Sequence, residues 1–149
     1  MISRTAEIVV RGYHLDVFGV VNNARYLEFL EEGRWVFFDE TLDVGGWKER
    51  GYSFFVVNIN INFRRAAVLG DVLEVRTWLS RLGRKSAVAH QEIVLKETDA
   101  IVADADVTFV VADSKTNRAV ALEGDLLAAL ESIAELGDER GQERKGKRG

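Results

Sequence analysis

The chain predicts an α+β fold in which a curved antiparallel sheet wraps around one long central helix. Three observations lead there. A broad apolar stripe at helical spacing follows the pair Asn22-Asn23 near the N-terminus. After it come four or five strand-like segments separated by turns that contain Gly, Asn or Asp. A shorter helical pattern closes the sequence. Strands gathered around one helix, rather than alternating with helices, point to α+β.

In chain order, Thr5 to Gly12 reads as a strand, with Ile8 and Val10 alternating against Glu7, Val9 and Arg11. A short turn containing Gly19 follows. Asn22 and Asn23 then open a helix running to about Asp39; Asn suits a helix start because its side chain can accept from an orphan N–H of the first turn. Tyr26, Phe29, Leu30, Gly33, Val36 and Phe37 form the apolar stripe, with Arg25, Glu28, Glu31 and Glu32 largely off it. Gly33 inside a helix costs about 1 kcal/mol against Ala, a cost that close packing of helix on sheet would offset. Trp35 falls near the acidic side and is expected to meet another part of the chain or another subunit.

Thr41 to Gly51 reads as a Gly-containing connection. Ser53 to Phe63 is a strand whose Val57, Ile59, Ile61 and Phe63 make an apolar face against Asn58, Asn60 and Asn62. Further strands are expected at Val72–Leu82, Lys85–Thr98 and Ile101–Ala112, with a short one around Arg118–Leu122. Asp125 to Leu136 is helical, stopped by Gly137. The domain therefore spans 1–136, and the charged, Gly-rich tail 137–149 is expected to be disordered.

A chain of 149 residues with 47% hydrophobic content suits one domain with a real core. It has no Cys, which removes disulfides, thiolate metal sites and a cysteine nucleophile. With no Pro either, Gly, Asn and Asp must mark the turns. The net charge is −4, and the tail carries +2 of it, leaving the body at −6. An acidic body argues against nonspecific nucleic-acid binding. No signal-like or spanning apolar run occurs, so a cytoplasmic protein without membrane insertion is expected.

What attacking group does the chain offer? There is no G-x-S-x-G elbow. The two histidines, His14 and His90, share no metal-ligand spacing, so no metal or other cofactor is expected. His14 reads as a packing or hydrogen-bonding residue. Carboxylates remain. Asp16 lies a few residues before a helix N-terminus, whose unpaired N–H groups and partial positive charge can receive an oxyanion. The residues alone leave two readings open for it, a turn-forming residue or an acid that works in acyl transfer. Glu28, Glu31 and Glu32 are further acids on the helix surface.

The runs Arg11-Gly12-Tyr13-His14-Leu15-Asp16 and Val21-Asn22-Asn23-Ala24-Arg25-Tyr26-Leu27-Glu28-Phe29-Leu30-Glu31-Glu32 carry a family resemblance. So do Val56-Val57-Asn58-Ile59-Asn60-Ile61-Asn62 and Ala121-Leu122-Glu123-Gly124. Together they resemble the hotdog-fold acyl-CoA thioesterases of the 4-hydroxybenzoyl-CoA thioesterase-like superfamily, nearest the long-chain branch of the FadM type. The similarity covers roughly residues 6 to 131. Val20 stands where that branch usually has His, and Ala66 where it commonly has Pro.

The resemblance implies a hotdog fold and hydrolysis of a fatty acyl-CoA of medium to long chain. Asp16 would be the nucleophile or general base, with the backbone N–H of Asn23 in the oxyanion site. Gly19 and Tyr26 are expected to contact substrate. CoA phosphates need basic groups, and Arg64, Arg65, Arg84 and Lys85 at strand ends and turns are the candidates, or else ordinary solubilising charges. A homodimer or homotetramer with substrate between subunits is implied too. A non-catalytic acyl-CoA binding or sensing module on the same fold is the competing reading. A hotdog dehydratase would need a D-x-N-x-x-H arrangement, which is absent.

Overall fold

The computed structural model describes residues 2–134. Five strands, β1 (Arg4–Val9), β2 (Tyr52–Phe63), β3 (Val72–Leu82), β4 (Ser86–Leu95) and β5 (Ile101–Asp113), form one sheet in the order β1-β3-β4-β5-β2. Every pairing is antiparallel. The long helix α1 (Asn23–Thr41) lies across β1, β3 and β4. A short helix α2 (Val44–Glu49) covers the start of β2, and α3 (Gly124–Ile133) packs near β3. This is the hotdog architecture. The core lies between α1 and the sheet, where Leu30, Phe37, Leu73, Val75, Leu79 and Ile93 are fully buried. Among the described residues no helix is long and apolar enough to cross a membrane.

Helix α1 buries Tyr26, Phe29, Leu30, Gly33 and Phe37, the stripe that the spacing predicts, while Val36 is half-buried. It runs two residues beyond Asp39 before Leu42 ends it, the Leu42 N–H closing on Phe38 O at 2.8 Å. At Gly33 the helix lies in close contact with the sheet. A Cβ there would overlap Val75 Cγ1 and crowd Gln91 Nε2 and Thr77 Oγ1, both 3.0 Å away. Gln91 and Thr77, both fully buried, are satisfied at this contact. Gln91 Nε2 donates to Leu30 O and to Thr77 Oγ1, each at 2.8 Å. A buried amide with its hydrogen bonds made avoids the penalty of an orphaned polar group. It also ties the helix backbone to the middle of the sheet.

Several boundaries differ from the sequence reading, each for a local reason. The first strand stops at Val9, because Val10 exchanges hydrogen bonds with the Gly70-Asp71 turn and Gly12–His14 form a single 3-10 turn. The 41–51 connection contains α2, which two glycines conceal; Asp43 caps it through Gly46 N (3.0 Å) and Trp47 buries its ring. The fourth strand ends at Leu95, not Thr98, because Asp99 takes φ 60° and its N–H returns to Leu95 O. Arg118–Leu122 makes no strand; a lone bridge joins Ala119 to Ala112. Helix α3 runs from Gly124 to Ile133, and its expected continuation to Leu136, the Gly137 stop and the 137–149 tail lie outside the described residues.

In β2 the register shifts between Val56 and Asn58, a β-bulge that leaves Val57 as the extra residue. Val57 is consequently exposed instead of sharing a buried face with Ile59 and Ile61. The Asn residues lie off the core, and Asn62 donates to Asp104 Oδ1 at 3.1 Å.

Because Gly33 admits no side chain of any size, Gly33→Leu should lower unfolding free energy by about 1–3 kcal/mol through overpacking. Urea unfolding compared with wild type measures it, and an unchanged midpoint would contradict the contact.

Candidate active site

Asp16 to Gly19 form the tip of a small hairpin that leads into α1. Gly19 N–H donates to Asp16 O (3.0 Å) and Asp16 N–H to Val20 O (2.9 Å), while Leu15 bridges Val21. Gly19 has φ +78°, which an L side chain adopts with strain, so the tip needs glycine there. The Asp16 carboxylate accepts from Phe18 N through Oδ1 at 2.8 Å. That Asx-type bond anchors one oxygen and leaves Oδ2 without a partner among the described residues. Opposite Asp16 stands Val20, which bridges on to Val68. Leu15 and Val21 face the core side of this hairpin.

The helix cap is Asn22, one residue ahead of Asn23. Its Oδ1 accepts from Ala24 N at 2.9 Å, and its carbonyl accepts from Arg25 N at 2.9 Å. Asn22 N–H itself returns to His14 O. Asn23 N–H, in the first helical position, donates to nothing among the described residues. One free donor therefore points out of the positive end of a 19-residue helix, at the foot of the hairpin that carries Asp16.

The other sequence candidates divide into those near this end of the sheet and those far from it. Tyr26 is buried in the core between Phe29 and Phe63; its hydroxyl accepts from Ala67 N at 3.2 Å, and burial pushes its pKa up. Its place is to brace the 67–68 segment that pairs with Val20 and Val21, with no open face toward a ligand in the single chain. Arg64 and Arg65 follow the end of β2, on the same side as the hairpin. Arg64 Nε pairs with Asp104 Oδ2 at 2.9 Å, which holds the Asp104 carboxyl below the usual carboxylate range. Arg65 is exposed, and its side chain makes no ion pair among the described residues. Arg84 and Lys85 sit at the opposite end of the 11-residue strand β3, roughly 35 Å of strand away. Within one chain, then, they are not brought to Asp16.

His14 is occupied as the sequence suggested. Its Nδ1 accepts from Arg11 N at 2.9 Å, and its ring packs edge-on against Phe29. Burial, and then Arg25, lower its pKa, which keeps the imidazole neutral near pH 7. No group of three or more His, Cys, Asp or Glu among the described residues could hold a metal ion.

The sequence reading missed a cavity. α1 covers β1, β3 and β4 and leaves the β5–β2 half of the same face less covered. There a cavity of about 420 Å³ opens between the second half of α1, α2 and the start of β2. Phe38, Phe54 and Phe109 pack as an aromatic cluster in its wall, and Trp35 lies at its side. Trp35 remains half-exposed, with Nε1 donating to Glu31 Oε2 at 3.3 Å. Asn23, Leu27, Glu31, Arg34 and Phe38 recur at spacings of three and four, so one face of α1 leads from the free N–H to the cavity. Residues from α1, α2, β2 and β5 line this hollow together, and no local pattern announced it.

The hotdog geometry thus places an acid on the loop before a long helix and a free amide at that helix's start. The chain belongs to the thioesterase-like superfamily, whose model matches residues 10–130. It is an enzyme of that class, a thioester hydrolase. It is 50% identical over 127 residues to long-chain acyl-CoA thioesterase FadM of Escherichia coli (strain K12), covering 85% of this chain and 96% of that protein. The crystal structure of Escherichia coli YbaW superposes with a TM-score of 0.79 at 48% identity, covering 88% of this chain and 98% of that one. A DHNA-CoA thioesterase from Staphylococcus aureus shares the fold, with a TM-score of 0.81 at 18% identity over 98% of this chain and 96% of its own.

Proposed function

We propose that this enzyme hydrolyses fatty acyl-CoA thioesters of medium to long chain to free acid and CoA, with Asp16 as the working carboxylate. The observation that carries the reading is the unspent Asn23 N–H beside the Asp16 hairpin. The name of the Escherichia coli relative, a long-chain acyl-CoA thioesterase at 50% identity, supports the substrate class. The thioester carbonyl would lie against Asn23 N–H. Asp16 either attacks the carbonyl carbon, giving an acyl-enzyme anhydride that water then cleaves, or takes a proton from the water that attacks. On both routes negative charge gathers on the carbonyl oxygen, and the helix-end amide receives it. Collapse of the tetrahedral species breaks the C–S bond, and the CoA thiolate leaves.

Asn23→Pro isolates the amide. Proline is favoured at the first helical position and deletes the N–H together with the Asn side chain, which Asn23→Ala removes by itself. Asn22, with φ −64° and ψ 138°, already has the conformation a following proline requires. Turnover should fall about 10²–10³-fold with little change in melting temperature, while Asn23→Ala stays near wild type. Asp16→Asn should fall by at least as much in a free-thiol assay. Full activity in either the Pro or the Asp16 variant would remove that group from the mechanism.

For the CoA phosphates, the geometry favours Arg64 and Arg65 over Arg84 and Lys85. Arg65→Glu should raise KM for acyl-CoA more than for a short thioester lacking the nucleotide. Arg84→Glu with Lys85→Glu should shift neither, and a nucleotide-specific rise there would put the phosphates at the other end of the sheet or on a second subunit.

A homodimer, with a homotetramer as its doubled form, fits the edge strand. β2 ends the sheet and exposes Phe55, Val56 and Val57 along it. An apolar unpaired edge is an association site. Antiparallel β2–β2 pairing about a two-fold axis would set both long helices on one face, running in opposite directions. Phe55→Asp should shift the species seen by light scattering to monomer and reduce turnover; a wild-type chain that is already monomeric and active would dismiss the pairing.

A further inference from the structure

The cavity beside α1 is apolar in its body, yet its wall holds a guanidinium. Arg34 is half-buried, and its only hydrogen bond among the described residues goes from Nη1 to Gln91 Oε1 at 3.1 Å, a neutral acceptor. A guanidinium has five N–H donors, so most of its capacity is unspent. The bond is also directional. Gln91 Nε2 is committed to Leu30 O and Thr77 Oγ1, which turns Oε1 toward Arg34 and holds that side chain in place. Glu31, the acid on the cavity wall, makes no ion pair with Arg34 and accepts from Trp35 Nε1 instead. Burial lowers the Arg34 pKa from its ordinary value, with Glu31 opposing, which reports a cation in a poorly solvated place. Lys48 lies on the same wall and pairs with no acid among the described residues, and the Tyr52 hydroxyl there makes no hydrogen bond within them.

We infer that Arg34 is a specificity-determining residue, and that this cavity takes acyl chains bearing an acceptor oxygen, a carboxylate above all, at their far end. The inference rests on the thioesterase reading given above and names the substrate class for it. Apolar walls suit the methylene run, while two cations and a hydroxyl suit an anion. A simple hydrocarbon tail would leave the guanidinium desolvated against methyl and methylene groups, which is unfavourable. The span sets a length. Arg34 lies eleven residues beyond Asn23 on the same helix face, about 16 Å at 1.5 Å per residue, the reach of a chain of about a dozen carbons.

The test compares dodecanoyl-CoA, 12-hydroxydodecanoyl-CoA and dodecanedioyl-CoA. Wild type should show the highest kcat/KM on the diacid derivative. Arg34→Met should lower that value about 10- to 100-fold, the range for a charge-assisted hydrogen bond, and leave dodecanoyl-CoA unchanged or faster. An intermediate loss on the hydroxy derivative marks hydrogen bonding, and a loss confined to the diacid marks charge; both support the assignment. Equal losses on all three would make Arg34 a structural residue and overturn it. If Arg34→Met does not fold, the wild-type ranking decides alone, and a diacid derivative no better than dodecanoyl-CoA overturns the proposal. Trp35 fluorescence titrated with free dodecanedioate against dodecanoate reads the cavity independently of turnover. Tighter diacid binding in a chain that cleaves no thioester would sink the hydrolase reading and keep the cavity assignment, whereas cleavage without diacid preference would do the reverse.

Discussion

The depth at which α1 settles on the sheet sets where the candidate site and the cavity lie, and a missing Cβ permits that depth. At Gly33 the helix backbone comes close enough for Val75 to occupy the space a side chain would need. The helix then lies within reach of Gln91, whose amide bonds Leu30 O and Thr77 while its oxygen holds Arg34. Glycine is unfavourable inside a helix, and the close contact with its satisfied buried amide offsets that cost. Among the described residues no buried side-chain polar atom is left without a partner, so the knot holds the helix without strain in hydrogen bonding.

That fixed helix gives the site a fixed reference. Donors at its start are not all spent on the cap: Asn22 takes the Ala24 N–H, and the Asn23 N–H stays open among the described residues. Asp16 is likewise half spent: one oxygen belongs to the turn and the other has no partner among the described residues. Tyr26 serves this arrangement from beneath, since its hydroxyl holds Ala67, and Ala67 O accepts from Val21 N. A residue expected to touch substrate is thus placed as a brace for the loop that would do so. The charges follow the same economy. Arg64 is engaged by Asp104, whereas Arg65 at the same strand end is exposed.

Much of this was legible along the chain. The stripe Tyr26, Phe29, Leu30, Gly33, Phe37 is a period-3.6 pattern, and the two Asn residues mark its start, because caps and periodicity are local properties. The long strands were readable for the same reason, and Gly33 announced a close contact by being costly where it stands. What escaped was whatever depended on contacts between distant segments. Helix α2 carries Gly45 and Gly46, so its existence rests on the Asp43 cap and on burial of Trp47, not on propensity. The bulge at Val57 broke an alternation that looked regular, because β5 decides the register of β2. The separation of Arg64-Arg65 from Arg84-Lys85 is a property of strand direction, invisible to spacing.

By itself the sequence determined the helix, most of the strands, the order α+β and the Asp16-to-Asn23 loop, since these follow from short-range patterns of polarity, turn chemistry and capping. Only the tertiary structure decided which backbone amide stays free and where the cavity opens. It also decided that Arg34 turns inward to Gln91. Those outcomes depend on which groups from remote segments meet and satisfy each other first, and a linear pattern carries no record of that.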